Sequence, residues 1–365
     1  MNLKRFGVPA VVAVTAALAL SSCAANEGGG SATPEETTSS LSGTIDAAGA
    51  SSQGSAQEAW VAAFQTANPD VTINYDPSGS GAGRESFQAG AFPFAGSDRA
   101  FTIEEIEAGP FDACVDGSGI IELPTYISPI AIIFNVEGVD SLNLDAATAA
   151  GLFAGTITNW NDPAIAALNE GATLPDANIT AVHRSDDSGT TKNFADYLNK
   201  TAGDVWAEEP SDTFPYQTGE GAQGTSGVVE AVTNGVNTIG YADASRAGDL
   251  GVAKIKVGDE FVGYTPEAAA AVDAESPLVE GREANDLAIA LDRTTTDPTH
   301  YPLVLVSYAI VCQEYADAAQ GELVKAYVSY LASEEGQTLA AEQAGSAPLS
   351  TELSEQVSAA LETVK

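Results

Sequence analysis

The sequence predicts an α/β protein built in layers. Segments of strand-like character alternate with segments of helical spacing along most of the chain. Two stretches, "SPIAIIFNV" (Ser128–Val136) and "PLVLVSYAIV" (Pro302–Val311), are apolar almost throughout, as strands buried on both faces are. With 365 residues, 44% of them hydrophobic, the chain can bury one large domain or two ordinary ones.

The elements follow in order. "SGTIDAAGA" (Ser42–Ala50) reads as a strand running into a loop of small residues. In "AQEAWVAAFQTANP", Ala56, Trp60, Ala63 and Phe64 share one helical face, and the helix ends before Pro69. "VTINYDP" alternates like a strand, and "FPFAGSD" is a strand ending in a loop at Asp98. The helical stretches "DAATAAGLFAG" and "DPAIAALNEG" bracket "TITNW". "NITAVHRSDDSG" is a strand followed by a loop, and "TTKNFADYLNK" a helix with Phe194, Tyr197 and Leu198 on one face. "GVVEAVTNG" and "TIGYAD" are helix then strand, and "GELVKAYVSYLASEEGQTLAAEQ" reads as one long helix near the end. Sheets in such a chain are expected to be mostly parallel, and no internal repeat is visible.

The formal net charge is −37, from 14 basic and 51 acidic residues. A sequence-independent nucleic-acid grip needs Lys and Arg facing phosphates, so that class is excluded. Docking on anionic lipid through a basic surface is disfavoured for the same reason. Such acidity fits a protein kept soluble outside the cell.

Lys4 and Arg5 precede an apolar run, Val8 to Leu20, too short to span a bilayer. The run ends in "LSSC", which resembles the lipobox of bacterial lipoproteins. Residues 1–22 would then be a signal peptide and Cys23 the lipidated N-terminus, with cleavage near Ala24 or Ala25 as the alternative. Residues 23–42 are rich in Gly, Ser, Thr, Pro and Glu and read as a flexible tether. Lipidation of Cys23 leaves Cys114 and Cys312, which an oxidising compartment would join; a free buried pair is the alternative.

Three loops share one design. "GASSQGS" (Gly49–Ser55), "GSGAG" (Gly79–Gly83) and "SGTT" (Ser188–Thr191) each lead into a helix. A helix start presents unpaired N–H groups and the positive end of the macrodipole. Ser and Thr add hydroxyl donors, and Gly lets an anion approach the backbone. Any one of them could be simple N-capping; three in one chain point to a shared anion site. Arg184, just upstream of the third loop, can offer a bidentate fork to an oxyanion, with Asp186 or Asp187 steadying it. A surface ion pair is the plainer alternative for that arginine. Asp98 repels an anion unless the anion carries a proton, and phosphate near neutral pH does whereas sulfate does not. An acidic acceptor in a neutral cradle therefore selects phosphate. On its own, Asp98 would more often be a loop or helix cap.

Other motifs fail. "GEGAQG" (Gly219–Gly224) fits G-x-G-x-x-G, but no apolar strand leads into it. The G-K-[ST] phosphate loop is missing, and His183 and His300 form no recognisable metal motif. His183, Asp186 and Ser188 are too close in sequence for a hydrolase triad, which is assembled from separate loops. Glu104 and Glu105 read as the solvated first turn of a helix after Thr102.

"GASS", "GSGAG", "FAGSD", "ITNWNDPAIAALNEG", "AVHRSDDSGTTKNF" and "NTIGYAD" follow one another as in the phosphate-binding lipoproteins of bacterial phosphate-import ABC transporters, a family that this chain resembles from about Leu41 to its end. The resemblance implies the type II periplasmic-binding-protein fold: two α/β lobes, two crossover segments and a ligand cleft between the lobes. It places lobe I at 43–124 and 264–365 and lobe II at 125–263, with crossovers near Glu122–Ser128 and Lys256–Thr265. Cys114 and Cys312 both fall in lobe I. By motif, the implied phosphate ligands are Ser51, Ser52, Ser80, Asp98 as proton acceptor, Arg184, Ser188, Gly189 and Thr190, with Asp186 holding the arginine. The chain departs from the family at Ser52, where an aromatic residue is common, and at Asp187, where Gly is common.

The function so implied is an extracytoplasmic receptor, not an enzyme. It would be monomeric, need no cofactor or metal, be lipid-anchored on the outer face of the cytoplasmic membrane, and deliver phosphate to permease and ATPase subunits. The rival readings are the same fold binding sulfate or molybdate, a secreted phosphatase or serine hydrolase, and a purely structural surface lipoprotein.

Overall fold

The computed structural model describes residues 41–365. The predicted signal peptide, Cys23 and nearly all of the predicted tether lie outside the described residues. Among the described residues no helix is long and apolar enough to cross a membrane.

The strands are β1 (Gly43–Gly49), β2 (Val71–Asp76), β3 (Phe94–Ser97), β4 (Ile120–Asn135), β5 (Leu142–Leu144), β6 (Thr180–Arg184), β7 (Glu220–Ala222), β8 (Thr238–Asp243), β9 (Gly251–Val257), β10 (Glu260–Val262) and β11 (Val304–Cys312). The helices are α1 (Gly54–Ala67), α2 (Ser80–Gln88), α3 (Ile103–Ala108), α4 (Ala146–Ala154), α5 (Pro163–Leu168), α6 (Gly189–Ala202), α7 (Gly224–Asn234), α8 (Pro266–Glu275), α9 (Ala318–Ala332), α10 (Glu334–Ala344) and α11 (Thr351–Glu362).

The strand order is β2-β1-β3-β11-β4-β8-β6-β7, with β9 on the flank of β4 carrying β5 and β10. Every residue of β4 from Ile120 to Phe134 is buried, and the strand serves two groups. Its first part, Ile120–Pro129, pairs with β11. Its last part, Ile130–Asn135, pairs with β8. The chain thus forms two α/β lobes that share one strand. The first expected crossover, Glu122–Ser128, lies inside β4; the second, Lys256–Thr265, runs from the end of β9 through β10 to the cap of α8.

The expectation of mostly parallel sheets needs correcting. β1 with β2 and β3, and β6 with β7 and β8, are parallel. β11 runs antiparallel to both β3 and β4, and β4 antiparallel to β8 and β9. A strand that passes from one lobe to the other meets neighbours whose direction is set by their own helix crossovers, so it runs against them. The single long helix expected after Gly321 is also two. Ser333 is extended, its hydroxyl accepts from the Gly336 N–H, and α9 ends there as α10 begins.

Aromatic residues lock the helices onto the strands. Trp60 on α1 is fully buried and donates its indole N–H to the Gly336 carbonyl at 2.7 Å. Phe64 and Phe94 pack edge-on against Tyr327, with centroids 5.3 and 6.1 Å away. In the other lobe Phe194 on α6 stacks on Tyr241 of β8 at 4.3 Å and meets Phe153 at 4.8 Å. Burying each such ring contributes about 1.5–3 kcal/mol, and these anchors hold the helices in place.

Cys114, in the loop after α3, is joined to Cys312 at the end of β11 across a sequence separation of 198. A closure of this length restricts the unfolded chain strongly. Replacing both cysteines by serine is expected to lower the unfolding free energy by about 2–5 kcal/mol in a denaturant titration. Equal stability of variant and wild type would show that the bridge contributes nothing.

Candidate anion site between the lobes

The parallel strands of both lobes deliver their carboxyl ends to one place, where ligands of open α/β sheets bind. β1 ends before Ser51 and Ser52, β2 before Ser80, β3 before Asp98, and β6 at Arg184 before Ser188. Gly49 makes the approach possible. Its φ is +152°, and a Cβ there would sit 2.0 Å from the Gly96 carbonyl oxygen.

Asp98 is at the centre and 2% exposed. Ser52 donates to its Oδ1 at 2.6 Å, and Thr190, from the other lobe, to its Oδ2 at 2.8 Å. Its own N–H donates to Ser80 Oγ at 3.1 Å, which leaves the Ser80 hydroxyl hydrogen free. Burial pushes the Asp98 carboxyl up from the usual aspartate range, while the Ser52, Thr190 and Ser307 hydroxyls and the Arg184 charge pull it back. A carboxylate has about four acceptor positions. The Ser52, Thr190 and Ser307 hydroxyls leave room here for a further donor.

Ser188 caps α6: its hydroxyl accepts from the Thr191 N–H at 3.2 Å. The first-turn N–H groups of Gly189 and Thr190 have no partner within the helix and face the site with the dipole behind them. Gly189 is held close, since a Cβ there would lie 2.7 Å from both the Asp98 Cβ and Ser80 Oγ. Arg184 is buried, not on the surface. Its Nε donates to Asp186 Oδ1 at 2.7 Å and a second nitrogen to Asp186 Oδ2, and the Gly224 N–H donates to Oδ1 at 3.0 Å. Burial opposes ionisation of Asp186, but the arginine outweighs it and holds the carboxyl below its usual range.

Of the residues singled out in the sequence, Ser52, Ser80, Asp98, Arg184, Asp186, Ser188, Gly189 and Thr190 all meet here. Ser51 lies at the rim, where its Oγ accepts from the Thr225 N–H at 3.0 Å and shares a hydrogen bond with Thr225 Oγ1 at 3.1 Å. His183 is a strand residue stacked on Phe214 at 3.9 Å. Glu105 is more than a solvated helix start, because Arg99 pairs with it at 2.6 Å.

Sequence reasoning missed Thr225 and Asn193. Thr225 belongs to "GTSG", a fourth helix start rich in Gly with Ser or Thr, whose signal was visible. Asn193 donates to the carbonyls of Asp98 at 2.6 Å and Gly189 at 2.9 Å, a role visible only in three dimensions. Among the described residues no cluster of His, Cys, Asp and Glu could hold a metal ion.

Two lobes meeting on one buried arginine, one buried carboxylate and several helix starts define a solute-binding protein of the two-lobed periplasmic class. Comparison with known proteins places it further. The PBP superfamily domain model matches residues 34–335. Phosphate-binding protein PstS 3 of Mycobacterium leprae (strain TN) is 38% identical over 345 residues, 90% of each chain. Phosphate-binding protein PstS2 of Mycobacterium bovis (strain BCG / Pasteur 1173P2) is 34% identical over 382 residues and spans the whole of both chains. Among solved structures, a high-affinity periplasmic phosphate-binding protein (PfluDING) bound with phosphate superposes with a TM-score of 0.69 at 20% identity, covering 87% of this chain and 93% of that one. A putative phosphate ABC transporter substrate-binding protein with bound phosphate from Clostridium perfringens gives 0.59 at 22% identity, covering 83% and 98%. The chain belongs to the PBP superfamily and, within it, to the family of the PstS phosphate-binding proteins.

Proposed function

We propose that this protein is an extracytoplasmic receptor that encloses inorganic phosphate between its lobes and delivers it to the permease and ATPase subunits of an ABC transporter. The observation that carries this reading is a buried carboxylate, Asp98, among hydroxyl donors in a site that also holds Arg184. Such a site accepts a hydrogen bond from a protonated ligand while pairing the ligand's charge. Ser52, Ser80, Ser188, Gly189 and Thr190 supply the donors, Asp186 holds Arg184, and Ser51 closes the rim. The protein binds and releases; it performs no chemistry. Closure follows because the anion touches both lobes only when they are together. The net charge of −37 does not forbid this, since remote surface charge is screened while oriented dipoles act at contact range. The lobe limits are 43–124 with 264–365, and 125–263. The protein acts as a monomer, tethered by a lipid on Cys23.

Calorimetry on ligand-stripped protein tests the assignment. Tight binding of phosphate and negligible binding of sulfate are expected; equal affinity for both would overturn it.

A further inference from the structure

We propose that Asp212, on the loop between α6 and β7, is a clasp that draws the lobes together independently of the anion. The proposal rests on the two-lobed reading above. One oxygen, Asp212 Oδ2, accepts from Arg84 at 2.6 Å and from Arg99 Nε at 2.8 Å. Both guanidinium groups belong to lobe I, on the very segments that carry residues of the anion site: Arg84 lies one turn beyond Ser80 on α2, and Arg99 follows Asp98. Asp212 belongs to lobe II and is pinned there from two sides. Its carbonyl accepts from the Ser188 N–H at 3.0 Å. Its neighbour Thr213 donates to Asp187 Oδ1 at 2.7 Å. The Asp187 carbonyl itself accepts across the cleft from the Gly81 N–H at 3.0 Å. Asp187, whose charge beside an anion site had no explanation in sequence, thus holds the clasp in place.

The side chains of Arg84 and Asp212 are 5% and 12% exposed. Among the described residues, Asp212 is the one carboxylate in ion-pair contact with Arg84, whose other nitrogen donates to Ser97 Oγ at 2.7 Å. Closed lobes therefore leave that buried arginine without a paired carboxylate if Asp212 is lost. A buried charge without its partner disfavours the closed arrangement. Apparent affinity scales with the fraction of protein already competent to bind, so the clasp tightens phosphate binding without touching phosphate.

The test uses small-angle X-ray scattering and calorimetry with inorganic phosphate on wild type, Asp212→Asn and Asp212→Glu. Ligand-free Asp212→Asn is expected to have a larger radius of gyration than ligand-free wild type, and saturating phosphate should bring both to the same value. Its phosphate affinity should fall about tenfold, within the usual range of coupling between sites, and Asp212→Glu should restore part of it. Unchanged scattering and affinity in Asp212→Asn would overturn the proposal. Should that variant not fold, Thr213→Val, which loosens the loop and keeps every charge, is expected to shift both readouts the same way, and wild-type behaviour there would overturn it. If wild type gives no heat with phosphate yet Asp212→Asn still expands, the phosphate reading fails and the clasp stands.

Discussion

Asparagine at position 98 is expected to weaken sharply the choice between phosphate and sulfate. A site built to pair with a ligand's hydrogen rejects an analogue lacking it by roughly 10⁴–10⁵-fold, because a buried acceptor is left facing an acceptor. Asp98→Asn removes the negative charge and puts an NH₂ donor where sulfate oxygens would lie. One of the Ser52 and Thr190 hydroxyls then loses its acceptor, so phosphate also binds less well. Calorimetry with both anions should show the preference reduced by at least about two orders of magnitude, on the same reasoning. A variant that still excludes sulfate would place discrimination elsewhere. The wild type should drift the same way on acidification. Once protonated, Asp98 donates instead of accepting, and burial makes this begin at a higher pH than for an ordinary aspartate. Sulfate binding should therefore rise as pH falls.

Arg184→Gln is expected to weaken phosphate by a factor on the order of 10²–10³. Hydrogen bonds to charged groups contribute about 1.5–3 kcal/mol each, and breaking a buried pair costs about 3–5 kcal/mol. Here the loss is compounded, since Asp186 would be left without its cation in a site that must also accept an anion. Arg184→Lys keeps the charge without the fork and should fall between the two. Titration calorimetry reads all three proteins; wild-type affinity in Arg184→Gln would remove the arginine from the site.

The anion cradle was readable in sequence because each part is local. A strand, a Gly-Ser or Ser-Gly-Thr step and a helix announce themselves within about ten residues, the scale on which capping operates. Asp98 was readable by the chemistry of its setting. Thr225, Asn193 and Asp212 act through partners far away in sequence, and Asp187 only makes sense once Thr213 is beside it. The direction of β4 and β11 was hidden for a different reason. A strand buried on both faces is apolar whichever way its neighbours run, so "PLVLVSYAIV" carries no mark of antiparallel pairing. The break at Ser333 was masked by helical periodicity continuing on both sides, although a serine followed by two glutamates is a helix-start signal.

The strand order β3-β11-β4 also governs the sequence of events in which this molecule is made. Among the described residues β11 is the last strand, yet it fills the gap between two strands formed some two hundred residues earlier. A chain emerging from its N-terminus therefore cannot complete its first lobe while the second is being built; the early strands must wait with an open seam. Such non-local pairing makes folding slow and leaves unpaired edges exposed in the interval. A chain that stays incomplete until its end arrives is also one that can be threaded through a narrow pore first and assembled afterwards.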